Sequence, residues 1–506
     1  MKHRRSSGLP LRSTAFGRQR SRGSGAVLLL LIAAGSRLLA CADRPPPNLL
    51  LIVSDTLRAD ALACQGGAAI TPNICALAER GVLFENAYSN ASWTLPSSVA
   101  MFTGNHPSEY ARRQEEAAGS GDPIGKWFFY VDASERMCAE ALVERGYEAV
   151  GFLENGVPLE ANVLQGFSAL SVDAADGEAP DLEELAARTG LDAAEPRDRR
   201  LAPALRYLLS AGSRPFVLLE WLEDPHAVYD PPPRQMAELD LDPGRLAHPI
   251  EFYTRLGSRA DAERGVLPLK RYAPRMSLYE RVALKRLYLA EVASVDERVG
   301  LLLRALELGG LRDDTLIVFT SDHGEGFGEH GLYLHANSFY GELVHVPLIV
   351  AGPGITAGKR VAEPVSHVDL MPTLRELLGV DCLREDARGR SFRSLLTSAE
   401  SQEQREQYLV DARPESGDAL IRGNHKLVSQ PSGKELLFDL SSDPEETRDL
   451  AEHRTEVTQA MRDRLNEIRW ENAERRKANL ALLGDSHLED VGEKTLEQLR
   501  AIGYLE

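Results

Sequence analysis

The chain has 506 residues, 43% of them hydrophobic and 26% charged, with a formal net charge of −18. Ordinary globular composition of this length carries enough apolar material for a sizeable core and excludes collagen-like, repetitive and broadly disordered classes. The acidic balance argues against nucleic acid as a partner, because phosphate backbones attract the opposite sign.

The first forty residues stand apart. They hold eight Lys or Arg and no acid, then an apolar run from Ala26 to Ala34, then Leu38-Leu39-Ala40-Cys41. This pattern predicts a secretory signal over residues 1–41; the apolar run is too short to span a bilayer comfortably. Its ending resembles a bacterial lipobox. That implies acylation of Cys41, a place in the periplasm or cell envelope, and membrane contact only through the N-terminal lipid or signal anchor. A cleaved signal without lipid and an uncleaved anchor are the alternatives. Without those eight basic residues the rest has 50 basic against 76 acidic side chains, near −26.

Residues 42–47 end in three prolines and read as a stiff spacer. Leu49–Val53 is a continuous apolar run, as expected of a strand buried on both faces. Similar runs follow at Glu148–Leu153, Pro215–Leu222, Thr315–Thr320 and Val346–Ala351. Between them helical patterns cover Pro72–Arg80, Ser134–Arg145 with Ser134 as N-cap, Leu278–Leu308 and Val368–Leu378. Strands alternating with helices predict an α/β domain with a large, mainly parallel sheet over residues 48–379. Residues 172–200 (acidic, Ala-rich) and 231–275 (Pro- and Arg-rich) read as insertions. Residues 380–506 read as a smaller α+β unit: Ala419–Val428 and Glu435–Leu440 form a hairpin pair around Pro431-Ser432-Gly433, and a charged helix covers about Glu456–Leu482. Cys64, Cys75, Cys138 and Cys382 match no zinc spacing; they are expected as buried apolar thiols, with disulfides in an exported protein as the open alternative and no pairing assigned.

Several strands end in polar residues suited to chemistry. Leu49–Val53 runs into Ser54-Asp55-Thr56, Thr315–Thr320 into Ser321-Asp322-His323-Gly324-Glu325, and Pro215–Leu222 into Glu223-Asp224-Pro225-His226. Ligands of open α/β sheets bind at the carboxyl ends of strands, so distant segments converge on one crevice. Singly, each has a structural reading: a helix cap for Asp55 or Thr94, a satisfied loop histidine for His226.

Together these segments resemble the sulfatases and the wider alkaline-phosphatase-like superfamily over nearly all of residues 48–506. The resemblance is carried by Asn48–Arg58, Thr71–Asn73, Gly81–Tyr88, Trp93–Gly104, Asp224–Pro232, Phe319–Glu325, His345–Val350, Val368–Thr373 and the Lys426–Val428 and Phe438–Leu440 pair, in the family's order. It implies one divalent ion (Ca, Mn or Zn) on Asp55, Thr94, Asp322 and His323. It also implies a nucleophile at Thr94, and contacts from His226 and His335 to the anionic or leaving group of a small anionic ester. A neutral threonine hydroxyl is a poor nucleophile and needs such activation; a histidine can return the proton to the departing oxygen.

The sequence departs from the sulfatase pattern where the family modifies a Cys or Ser to formylglycine. Here Thr94-Leu95-Pro96-Ser97-Ser98 keeps the proline but lacks the modifiable residue and the arginine. Oxidised threonine is a ketone, so no formylglycine is expected. Thr56 and His323 stand where many sulfatases have Asp and Asn, a set resembling superfamily members that act on phosphorus. The reading is a metal-dependent hydrolase of sulfate or phosphate esters. A phosphodiesterase or phospho-head-group transferase, a sulfatase-like binding protein without turnover, and Ser97 or Ser98 in place of Thr94 are the alternatives.

Overall fold

The apolar run after the proline spacer becomes β1 (Asn48–Ser54), buried along its whole length. Leu49, Leu51 and Val53 face one hydrophobic cluster, Leu50 and Ile52 another, so the strand lies between two layers of helix, which is why its pattern does not alternate. The computed structural model describes residues 46–113, 127–172, 181–256, 272–397, 405–410 and 417–483. The expected signal segment and Cys41 lie outside them. Among the described residues no helix is long and apolar enough to cross a membrane.

The elements that build the main layer are α1 (Pro72–Glu79), β2 (Gly81–Phe84), α2 (Thr94–Thr103), α3 (Cys138–Glu144), β3 (Glu148–Leu153), β4 (Ala169–Val172) and β5 (Phe216–Leu222), followed by α4 (Leu278–Leu308), β6 (Thr315–Ser321), β7 (Leu348–Ala351), β8 (Lys359–Val361) and α5 (Leu370–Leu378). They form an eight-stranded sheet in the order β8-β2-β7-β6-β1-β5-β3-β4. All neighbours pair in parallel except β7, which runs against both β6 and β2. Side chains of α2, α3 and α5 pack on one face and those of α1 and α4 on the other. The fold is the expected large, mainly parallel sheet flanked by helices.

The second sheet is an antiparallel meander of β9 (Glu406–Val410), β10 (Asp418–Arg422), β11 (His425–Ser429) and β12 (Glu435–Asp439), with α6 (Thr455–Leu483) packed on it. Here the sequence reading is corrected. The stretch expected as one strand, Ala419–Val428, folds back on itself at Gly423-Asn424, with Arg422 paired to His425. Gly423 takes φ 58°, the left-handed geometry that a two-residue hairpin turn requires.

Two more expectations are revised. Helix α3 starts at Cys138, not near Ser134. The Ser134 hydroxyl is held by Asp132 at 2.6 Å, while the Glu140 carboxylate accepts from the Met137 N–H at 2.8 Å and caps the helix there. Cys138 and Cys382 are not free thiols: they form a disulfide across 244 residues, tying the start of α3 to the chain beyond α5. The acidic stretch expected as an insertion carries helices at Leu182–Thr189 and Pro196–Arg200, whereas residues 231–256 hold only short turns of helix.

Candidate active site

β3, β5, β1 and β6 are neighbours in the sheet and run the same way. Their carboxyl ends therefore deliver Asn155, Glu223, Asp55 and Asp322 side by side. Register sharpens this: Ser54 pairs with Ser321 on one side and Leu222 on the other. The Asp55 N–H donates to the Leu222 carbonyl at 2.9 Å, and the Ser54 hydroxyl to the Asp224 carbonyl at 2.7 Å. Thr56 turns the chain with φ 56°, and its N–H donates to Asp322 Oδ1 at 3.1 Å.

At the centre, His323 Nε2 lies 3.7 Å from Asp55 Oδ1, 3.5 Å from Asp322 Oδ2 and 3.3 Å from Thr94 Oγ1. All four residues are buried. His323 Nδ1 stands 2.9 Å from the Gly324 carbonyl. A carbonyl only accepts, so Nδ1 carries the hydrogen and Nε2 presents its lone pair to the carboxylates. Burial drops this imidazole to about 3, against the pull of Asp322. Burial also raises Asp55 well above the ordinary carboxylate range, and the Asp322, Glu223 and Glu325 charges add to it; burial raises Asp322 too. Asp55 Oδ1 and Asp322 Oδ2 have no hydrogen-bond partner.

Lone pairs facing each other in a desolvated pocket are unfavourable unless a cation stands between them. One atom each from Asp55, Asp322 and His323 lies within 4.8 Å of the others. Ligands about 2.3–2.6 Å from a shared ion stand that far apart. The donor set fits a divalent metal.

Thr94 is the first residue of α2; Trp93 takes the N-cap position and gives no side-chain cap. The structure thus sets aside the capping reading of Thr94. The neighbouring hydroxyls are committed elsewhere, Ser97 to the Asp322 carbonyl at 2.6 Å and Ser98 to the Leu95 carbonyl at 2.7 Å.

Both sequence-predicted histidines reach this centre. The His335 ring lies 4.6 Å from that of His323 and 5.1 Å from that of His226. His226 Nδ1 lies 2.7 Å from the Ala227 carbonyl, and burial lowers its pKa. His335 Nδ1 lies 3.1 Å from Glu325 Oε1. Leu334 and Ala336, on either side of His335, both have left-handed backbones with φ 60° and 66°; such strain persists only where the surroundings over-determine it. Here the Ala336 N–H donates to the Ser92 carbonyl at 2.8 Å.

Three contributors escaped the sequence reading. Asn155 donates to Asp55 Oδ2 at 2.8 Å, leaving Oδ1 for the shared centre. Its signal was available, since it follows a predicted strand as Asp55 and Asp322 do. Glu325, which burial takes up to about 7, accepts from the Tyr229 hydroxyl at 2.9 Å on its second oxygen. Glu325 and Tyr229 sat inside recognised motifs, but their partnership with His335 is tertiary.

The sulfatase family model matches residues 47–380. The chain belongs to the sulfatase family. It is thus a sulfuric ester hydrolase by class, with a possible divalent-metal site. A second model, N-sulphoglucosamine sulphohydrolase, C-terminal, matches residues 328–471. This sulfatase is 38% identical to choline-sulfatase of Rhizobium meliloti over 173 residues, and the match spans only 33% of each chain. It is 26% identical to Delta 4,5-hexuronate-2-O-sulfatase of Bacteroides thetaiotaomicron over 440 residues, covering 80% of this chain and 84% of that one. The crystal structure of phosphonate monoester hydrolase of Agrobacterium radiobacter aligns with TM-score 0.63 and 22% identity over 84% of this chain and 96% of that one. The last is a likeness of fold.

Proposed function

We propose that this sulfatase hydrolyses small anionic sulfate or phosphate esters with an unmodified Thr94 as nucleophile. The observation that carries the reading is the Thr94 hydroxyl, fully buried and 3.3 Å from His323 Nε2, at the edge of the carboxylate–imidazole cluster. Asp55, Asp322 and His323, with Thr94 beside them, would hold one divalent ion, Ca, Mn or Zn. When bound, that ion supplies positive charge for the anionic ester and lowers the pKa of a neighbouring hydroxyl.

The chain's own residues do the rest. Thr94, its hydroxyl proton given up to water, attacks the central sulfur or phosphorus as the ester oxygen departs on the opposite side. His226 and His335 face the same centre from the loops after β5 and β6, placed to bind the anionic group and to protonate the leaving oxygen. A threonine has no second hydroxyl on its carbon and cannot expel sulfate or phosphate by elimination, as a formylglycine hydrate can. Its ester must be opened by water attacking the central atom, which returns the Thr94 hydroxyl and favours phosphorus. The names of the matched relatives, choline-sulfatase and a hexuronate sulfatase, favour small sulfated substrates instead.

The deciding experiment assays the purified chain with Mn, Ca or Zn against nitrophenyl sulfate, a phosphate monoester and a phosphate diester, for wild type and Thr94→Ala. Turnover abolished in Thr94→Ala supports the alkoxide reading; undiminished turnover ends it. Mass spectrometry of the Thr94 peptide tests for an unmodified threonine. We also propose export with a lipid on Cys41; membrane association that survives Cys41→Ala contradicts it.

A further inference from the structure

Asp55 and Thr56 leave the sheet into a loop of two 3-10 turns, Ala59–Ala61 and Ala63–Gln65, that runs to α1. Cys64 lies in the second turn and Cys75 in α1. The Cys64 N–H donates to Cys75 Sγ at 3.0 Å, and the Thr71 hydroxyl lies 3.5 Å from the same sulfur. Cys75 Sγ therefore lies against the backbone of Cys64. Both residues are half-buried, so reagents can reach them.

The loop between them is already closed. Ala63 N–H donates to the Thr71 hydroxyl at 2.9 Å, Ala69 N–H to the Ala61 carbonyl at 3.1 Å, and Arg360 to the Cys64 carbonyl at 3.0 Å. A disulfide needs its two residues near one another before any bond forms, and the 3.0 Å contact from the Cys64 N–H to Cys75 Sγ shows them brought together. The chain elsewhere joins Cys138 to Cys382.

We propose that Cys64 and Cys75 form a second disulfide, which staples the loop after Asp55 to α1. The oxidant is a disulfide, of a small molecule or of a dithiol oxidoreductase. Cys75 gives up its proton, and its sulfur, with an N–H and a hydroxyl to stabilise negative charge, attacks one sulfur of that disulfide. The other sulfur leaves as a thiol. Cys64 then gives up its proton, attacks Cys75 Sγ and displaces the second thiol. Two cysteine thiols are oxidised to one disulfide, and one disulfide is reduced to two thiols.

One tryptic peptide, Ala59–Arg80, carries both cysteines, which makes the test direct. The full chain is incubated with oxidised glutathione, denatured, alkylated with iodoacetamide and digested. The expected peptide is unalkylated and two hydrogens lighter than its dithiol form. A doubly alkylated peptide, or one stopped as a glutathione adduct on Cys75, overturns the proposal. In the oxidised protein Cys64→Ser, Cys75→Ser and the double variant lower the melting temperature equally, since each removes the same bond. Additive losses contradict it. If the variants do not fold, the wild-type peptide alone decides.

Discussion

Thr94→Ala removes one hydroxyl and one methyl from a side chain with no exposed surface. The fold loses little. Position 94 lies in a helix, where alanine is the better former. The cost is the contacts with His323 at 3.3 Å and with the Asp322 carboxylate and a small cavity, together about 1–2 kcal/mol, or a few degrees in melting temperature for a chain of this size. The loss of turnover is far larger. Ser97 and Ser98 are held by backbone carbonyls, so no neighbouring hydroxyl replaces the missing one. Loss of a nucleophile then lowers kcat by on the order of 10³ or more, about 4 kcal/mol of barrier. Thr94→Ser keeps the hydroxyl and stays within about tenfold of wild type, a barrier change of about 1.4 kcal/mol. The assay is steady-state turnover of the most active nitrophenyl ester, beside thermal melts of all three proteins. An alanine variant that melts with wild type and turns over within about tenfold of it refutes Thr94 as nucleophile.

Asn155→Ala frees Asp55 Oδ2 and weakens metal retention about 10–100-fold, measured by titration of the stripped protein; an unchanged affinity refutes the positioning role. Arg298 is fully buried against Glu154 and within 3.6 Å of Asp224. Arg298→Leu leaves the buried Glu154 without its ion-pair partner, while Asp224 keeps Arg197 at 3.2 Å, and destabilises by about 3–5 kcal/mol in urea titrations. Glu329 shows a defined pH signature. Burial raises its pKa, but the charges of Arg58 and Lys285 overcome this and bring it from 4.5 to about 2. A depressed folded pKa stabilises above the unfolded value and is lost as pH falls. Glu329→Gln is therefore less stable at neutral pH by about 1–2 kcal/mol after solvent screening, and the gap closes between 4.5 and about 2. A gap unchanged at low pH contradicts the pairing. Reducing the Cys138–Cys382 bond lowers stability by about 2–4 kcal/mol, read as an earlier urea midpoint; an unmoved midpoint shows that the cross-link contributes nothing.

Asp55, Asp322, His323 and His226 follow strand ends that short-range pattern exposes, whereas Thr94 and His335 were named only through the family resemblance. The unbroken apolar runs announced strands buried on both faces, and a parallel sheet necessarily gathers its carboxyl ends along one edge. That argument reaches Asp55 and Asp322 without any coordinates. It reaches Asn155 too, had the strand before it been given the same weight.

What pattern could not supply is pairing between segments far apart in the chain. Glu325 steadies His335, Tyr229 steadies Glu325, and Cys138 finds Cys382 only when the sheet has stacked its helices. Local chemistry misled where a neighbour intervened: Ser134 looked like a helix cap until Asp132 took its hydroxyl. Gly423-Asn424 carried its own turn signal, overshadowed by the apolar residues on both sides. Residue type and spacing named the candidate groups; the tertiary structure decided which carboxylate oxygen and which ring nitrogen face the shared centre, because those depend on every hydrogen bond already taken.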